Sequence, residues 1–337
     1  MVDVKGEVML EKELEDILRK NPWQPLANAL RNALSKGQSW KSIPMYAKDD
    51  EKHVARFNDQ LQQKRGRRIL TAKYVENHKL NTECPPLPYV GTPTARVWLL
   101  LMNPGYSPLD YYNFVDRDSG RDMIRDSQGQ EKALQEAWLN ENDSPDLFCQ
   151  RQNLYVNSLD FNNSPGHEFY VLDKCMDTVR KQGSSLHGGY NWYGQKLFKG
   201  WNDRKGNVKD RGAYFHATTA EQRLAVASQH VFDLEYAAYH SINFTSAKDY
   251  KDFAHTKFWE KLVGYALRTD KILIVRGDEL MELVRQVDEN AFKTAIAHNR
   301  ILTFVSGQNV AVSRSNLAIP DEYGTSALGQ YCATLNL

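Results

Sequence analysis

Six consecutive apolar residues, Val97-Trp98-Leu99-Leu100-Leu101-Met102, stop abruptly at Asn103-Pro104-Gly105. An unbroken apolar run of this length, without alternation, is the pattern of a strand covered on both faces, as in the middle of a parallel sheet. The residues that follow do not extend it, because proline has no N–H to give a ladder and glycine and asparagine favour turns. Strand and turn together deliver backbone N–H groups and one side-chain amide to the carboxyl end of a strand, where open α/β sheets bind ligands. Asn-Pro-Gly is also common turn chemistry, so the spacing alone leaves an ordinary strand-to-loop turn open.

The rest of the chain supplies a frame for such a strand. Leu10, Leu14, Ile17 and Leu18, then Leu26, Leu30 and Leu34, recur at helical spacing across residues 8–35, with Asn21-Pro22 between the two sets. This predicts two helices. A further amphipathic stretch over 50–61 runs into Lys64-Arg65-Gly66-Arg67-Arg68, either a solvated helix end or a phosphate contact. Residues 84–91, with three prolines, read as an extended connector into the apolar strand. Beyond it, 231–237, 271–276, 301–305 and 309–312 are short and rich in β-branched or apolar residues, and 253–267 and 278–288 have helical periodicity. Alternation of this kind predicts an α/β fold, a three-layer α/β/α sandwich with a short, mainly parallel central sheet. The expected organisation is a helical N-terminal extension over 1–84 and one α/β domain over 85–337.

A chain of 337 residues with 41% hydrophobic content can bury a substantial core. No run of eighteen apolar residues is present and the first residues are charged, so the expected setting is cytoplasmic, without a membrane partner. A formal net charge of +1 means that any nucleic-acid surface must come from local clustering. Cys84, Cys149, Cys175 and Cys332 stand singly, without the short Cys or His spacings of zinc and iron–sulfur sites. No metal or other cofactor is expected.

The apolar strand ending in Met102-Asn103-Pro104-Gly105, led in by Pro88-Tyr89-Val90-Gly91 and followed by Tyr106-Ser107, resembles the first motif of the uracil-DNA glycosylase superfamily in its Asn-Pro-Gly branches. Val312-Ser313-Arg314-Ser315-Asn316-Leu317 falls where that superfamily has its second motif, a loop that grips or intercalates DNA. The resemblance spans roughly residues 85–324 and implies hydrolysis of an N-glycosidic bond on a base turned out of DNA. That reaction builds positive charge on the sugar and negative charge on the departing base while water reaches the anomeric carbon.

By this resemblance Asn103 holds the water through its side-chain carbonyl, which orients water but does not take its proton. Backbone N–H groups at Gly105 and Tyr106 would stabilise charge on the base. The strand from 232 exits at Tyr239-His240-Ser241, where the superfamily usually has an asparagine that reads the base edge. His240 is there either a catalytic residue that donates to a base carbonyl or assists the leaving group, or a structural hydrogen-bonding residue, and Tyr239 a candidate to stack or bond. Asp160 and Phe161 fall near the position of the ring that stacks on the base, with Phe161 as core filler the other reading. Ser313, Arg314, Ser315 and Asn316 are expected to contact DNA, Arg314 standing in the region where the second motif opens with histidine.

These departures argue against plain uracil as the base. Residues 186–214 mix Tyr190, Trp192, Tyr193, Phe198 and Trp201 with Lys196, Lys199, Arg204, Lys205, Lys209 and Arg211, a composition suited to nucleic acid or to an ordinary surface insertion. With that enlarged aromatic segment the chain is similar to bacterial antiphage glycosylases that remove glucosylated hydroxymethylcytosine from phage DNA. The expected partner is DNA carrying a modified base. Two other classes stay open: a nucleic-acid binder that keeps the fold without catalysis, and a nucleoside hydrolase or transferase using the same crevice.

Overall fold

The computed structural model describes residues 4–67, 70–104, 115, 145–161, 230–305, 312, 316–318 and 320. The two helices expected around Asn21-Pro22 are α1 (Val4–Leu18) and α2 (Gln24–Ser35). Asn21 makes the break: its Oδ1 accepts from Trp23 N, and its Nδ2 donates to the Tyr89 hydroxyl and the Leu159 carbonyl. Then come α3 (Glu51–Gly66) and α4 (Ala72–His78), the second capped by Thr71, whose hydroxyl accepts from Tyr74 N.

The sheet begins with β1 (Tyr89–Gly91) and β2 (Val97–Leu101); α5 (Pro145–Leu159) follows, then β3 (Val231–Glu235). Helix α6 (Ala254–Arg268) precedes β4 (Ile272–Val275), and α7 (Asp278–Val287) and α8 (Glu289–Ala297) lead to β5 (Ile301–Phe304) and β6 (Leu317–Ala318). The strand order is β1-β3-β2-β4-β5-β6. The inner four strands are parallel, whereas β1 runs antiparallel to β3 and β6 antiparallel to β5. The sheet is therefore mixed, not mainly parallel as expected. The proline-rich lead-in forms an edge strand, where missing N–H groups face away from the ladder. The expected strand at 309–312 lies outside the described residues except for buried Val312, and β6 falls in what was read as a loop.

Register fixes the faces. Trp98 pairs with Phe232 on one side and Leu273 on the other, so these three point the same way. Helix α6 lies over that face, with Tyr265 6.3 Å from Trp98 and Trp259 edge-on to Tyr236 at 5.1 Å between ring centroids. The N-terminal helices are not a separate layer. Leu14, Trp23, Leu30, Val54 and Val75 join Leu99, Phe232 and Leu273 in one continuous apolar cluster. No helix among the described residues is long and apolar enough to cross a membrane.

Candidate active site at the carboxyl ends of the strands

Because β3, β2 and β4 are parallel, their carboxyl ends open on one side. The chain passes from β2 to β3 on one side and then across to β4 on the other, so the order reverses at β2. The gap between the ends of β2 and β4 is thus the topological switch point, the place where open α/β sheets take ligands. Met102, Asn103 and Pro104 leave β2 into it, each half-buried. On the other side Arg276 leaves β4, its N–H bonded to the Leu100 carbonyl.

Asn103 has a fixed direction. Its Nδ2 donates to the Ser241 carbonyl at 3.2 Å and to the Ser241 hydroxyl at 3.1 Å, and that hydroxyl donates to the Asn243 carbonyl at 2.9 Å. Only the amine end can serve a carbonyl, so this contact sets which end is which. Oδ1 is the end left to accept from a water. Ser241 reaches this position because the ladder continues beyond β3: Tyr236 N bonds to Leu101 O, Ala237 N to Met102 O, and on the far side Leu87 N to Ala238 O and Asn81 N to His240 O.

The neighbouring candidates are held elsewhere. His240 is buried with Nε2 2.9 Å from the Pro85 carbonyl, so it braces the wall behind the crevice. Ser241, one residue on, is the side chain that reaches Asn103. Tyr239 is fully buried; its hydroxyl donates to Asp50 Oδ2 at 2.8 Å, accepts from Ala47 N at 3.2 Å, and its ring meets Trp23. The expected base contact of Tyr239 is corrected to a tie between the N-terminal segment and the exit of β3.

Asp160 and Phe161 require a second correction. Phe161 stacks on Tyr89 at 4.2 Å and lies near Phe232, which pairs with Trp98 at the opening of the strands. Asp160, its side chain buried, pairs with Arg31. Both residues are held in packing and pairing contacts, Phe161 among Tyr89, Phe232 and Phe258 and Asp160 with Arg31. Asn316 is buried too, and its carbonyl accepts from Val305 N at 2.9 Å, so it extends the β5–β6 ladder and is no exposed DNA contact. Gly105, Tyr106, Ser313, Arg314, Ser315, Lys196, Lys199 and Arg204 lie outside the described residues.

Sequence reasoning missed two buried acids in β3. Asp233 and Glu235, two residues apart, share one face of the strand, and Glu235 pairs with Leu101 at the carboxyl edge. Burial, and then the charge of Asp233, push the Glu235 carboxyl well above the usual range, against the pull of Arg276. Burial of this kind favours the neutral form of the carboxyl. Two acids in an otherwise apolar strand, Val-Phe-Asp-Leu-Glu, were the available signal. Behind them His255 accepts from Trp23 Nε1 through Nδ1 at 3.1 Å and donates from Nε2 to the Glu235 carbonyl at 2.7 Å. Burial lowers its pKa to about 4, so the ring is neutral.

Compared with protein-family models, curated proteins and solved structures, the chain matches none of the three.

Proposed function

We propose that this chain is a DNA glycosylase that hydrolyses the N-glycosidic bond of a flipped-out modified pyrimidine and leaves an abasic site. The observation that carries the reading is Asn103 at the switch point with its amine end bound to Ser241. That arrangement leaves the side-chain oxygen of Asn103 as an acceptor in place of a carboxylate, which suits a reaction in which the developing sugar cation supplies much of the drive and the water needs direction. By the same reading Gly105 and Tyr106, directly after Asn103 and Pro104, offer backbone N–H groups to the departing base.

The same reading takes the sheet as the middle of a three-layer α/β/α sandwich. Its support is burial on both faces: α6 covers Trp98 and Phe232, while Val97, Leu99, Ile272 and Ile274, which point the other way, are buried as well. The proposed setting is the cytoplasm, and the proposed role is defence against phage whose DNA carries modified bases.

The test is incubation of the protein with DNA containing uracil, hydroxymethylcytosine or glucosylated hydroxymethylcytosine, followed by alkaline cleavage. Breaks at a modified base in wild type, lost in Asn103→Ala, are expected. Breaks only at uracil would overturn the modified-base assignment. DNA retention with no breaks would indicate a binder without catalysis, and free base from nucleosides would indicate the small-molecule class.

A further inference from the structure

The run Lys64-Arg65-Gly66-Arg67 ends α3 and is exposed. Asn58 in α3 clasps Leu80 through two bonds, Nδ2 to the Leu80 carbonyl at 3.1 Å and Oδ1 from Leu80 N at 2.9 Å. Helices α3 and α4 therefore form a hairpin whose tip carries residues 64–67 at one side and Lys73 and Tyr74 at the other. The base of the hairpin lies at the carboxyl end of β3. Residues 81–91 run back along β3 and its exit, through Tyr89 with Leu234, Leu87 with Ala238 and Asn81 with His240. Past that ladder, Asn243 N donates to the Asn77 carbonyl of α4 at 2.7 Å. The hairpin is thus tied to the loop that holds Asn103.

Three features of the tip suit one ligand. Lys64, Arg65, Arg67 and Lys73 are exposed, and among the described residues none has an ion-pair partner. Of the nearby acids, Glu76 is paired with Lys79 at 2.9 Å, and Asp59 lies about one and a half helical turns before Lys64. Lys64 and Arg65 suit the end of a helix, but Lys73 stands in the first turn of α4, where the helix dipole disfavours a cation. The exposed ring of Tyr74 stacks on His78 at 3.8 Å, and His78 is held in turn by Nδ1 to the Tyr74 carbonyl at 2.7 Å. Tyr74 therefore offers a face backed by a second ring. Glu279 in the first turn of α7 is engaged elsewhere, accepting from Ala247 N at 2.8 Å.

We propose that the α3–α4 tip holds the DNA strand beside the excised base in single-stranded form, with Lys64, Arg65, Arg67 and Lys73 on successive phosphates and Tyr74 stacked on a base. Backbone neutralisation with base stacking on an aromatic platform is how single strands are bound without sequence readout. The inference rests on the glycosylase reading for the identity of the polymer.

The experiment is fluorescence anisotropy of a labelled single-stranded oligodeoxynucleotide over a salt series, with base excision assayed in parallel. The triple variant R65A/R67A/K73A is expected to bind more than about tenfold more weakly and to lower the slope of log affinity against log salt by about two. Tyr74→Ala is expected to weaken binding about 5- to 150-fold at unchanged slope, and Tyr74→Phe to restore it. All positions are exposed, so thermal unfolding of each variant should match wild type. Wild-type affinity and slope in the triple variant, or no retention by wild type at low salt, would overturn the proposal. Loss of retention in the triple variant, with no abasic product from wild type on any base, would support the tip and overturn the glycosylase reading.

Discussion

Ser241 Oγ lies 3.1 Å from Asn103 Nδ2 and accepts its proton while donating its own to the Asn243 carbonyl, so one hydroxyl links the loop after β2 to the loop after β3. The Ser241 carbonyl gives Asn103 a second acceptor. Ser241→Ala removes one of the two bonds and leaves the other. A neutral hydrogen bond contributes about 0.5–1.5 kcal/mol, so excision should fall only about three- to tenfold. Asn103→Ala removes the acceptor itself and should cost about a hundredfold or more in kcat, with base affinity retained. Single-turnover kinetics on the cleaved substrate, set beside a binding titration, separate the two effects.

Tyr239 joins Asp50 to the exit of β3, and the pair is buried. Asp50 also accepts from Ala254 N and so caps α6 from the far side of the N-terminal segment. Tyr239→Phe leaves the ring in place but removes a donor from Asp50 and an acceptor from Ala47 N. Unfolding free energy should drop by about 1–3 kcal/mol in urea titrations. If Tyr239 contacted the base, KM would rise; the geometry predicts an unchanged KM at temperatures where the variant stays folded.

The inner strands and the place of Asn103 at the end of β2 were legible in the sequence because they rest on short-range patterns: short segments rich in apolar or β-branched residues at 97–102, 231–237 and 271–276, and a turn that ends the first of them. Partners were not legible, since they are set by register and packing. Nothing in Tyr239-His240-Ser241 says which residue turns toward Asn103, and the ladder with 81–91 decides it by directing His240 to Pro85. Phe161 follows an apolar segment that proved to be the end of α5, and this helix delivers it to Tyr89 of β1. Helix α8 and strand β6 were missed because each is short.

His255 links acid stability to the wall of the site. Its Nδ1 accepts from Trp23 and its Nε2 donates to Glu235 O, an arrangement only the neutral ring can satisfy. Burial depresses the folded pKa from 6.5 to about 4. A depressed pKa gives stability that is present above pH 6.5 and lost as pH falls toward 4, here about 3 kcal/mol in all. Unfolding curves across that window should show the loss. Glutamine supplies one acceptor and one donor without titrating, so His255→Gln should flatten the curve there, whereas His255→Phe should destabilise at every pH.

Gly91 closes β1 with φ +92°, opposite Phe232. A Cβ at this position would meet the Val231 carbonyl oxygen at 2.3 Å, and that oxygen is main chain in the ladder and has little room to move. Gly37, after α2, also has positive φ, +61°, but a Cβ there meets nothing within 4 Å. The two glycines therefore separate backbone strain from collision. Gly37→Ala carries only the conformational cost, about 1 kcal/mol, whereas Gly91→Ala adds the collision and should lose at least about 2 kcal/mol more. Equal losses in denaturant titrations would show that β1 shifts away from β3 without penalty. In that case the ladder of 81–91, and with it the fixed position of Ser241 opposite Asn103, would be looser than the register implies.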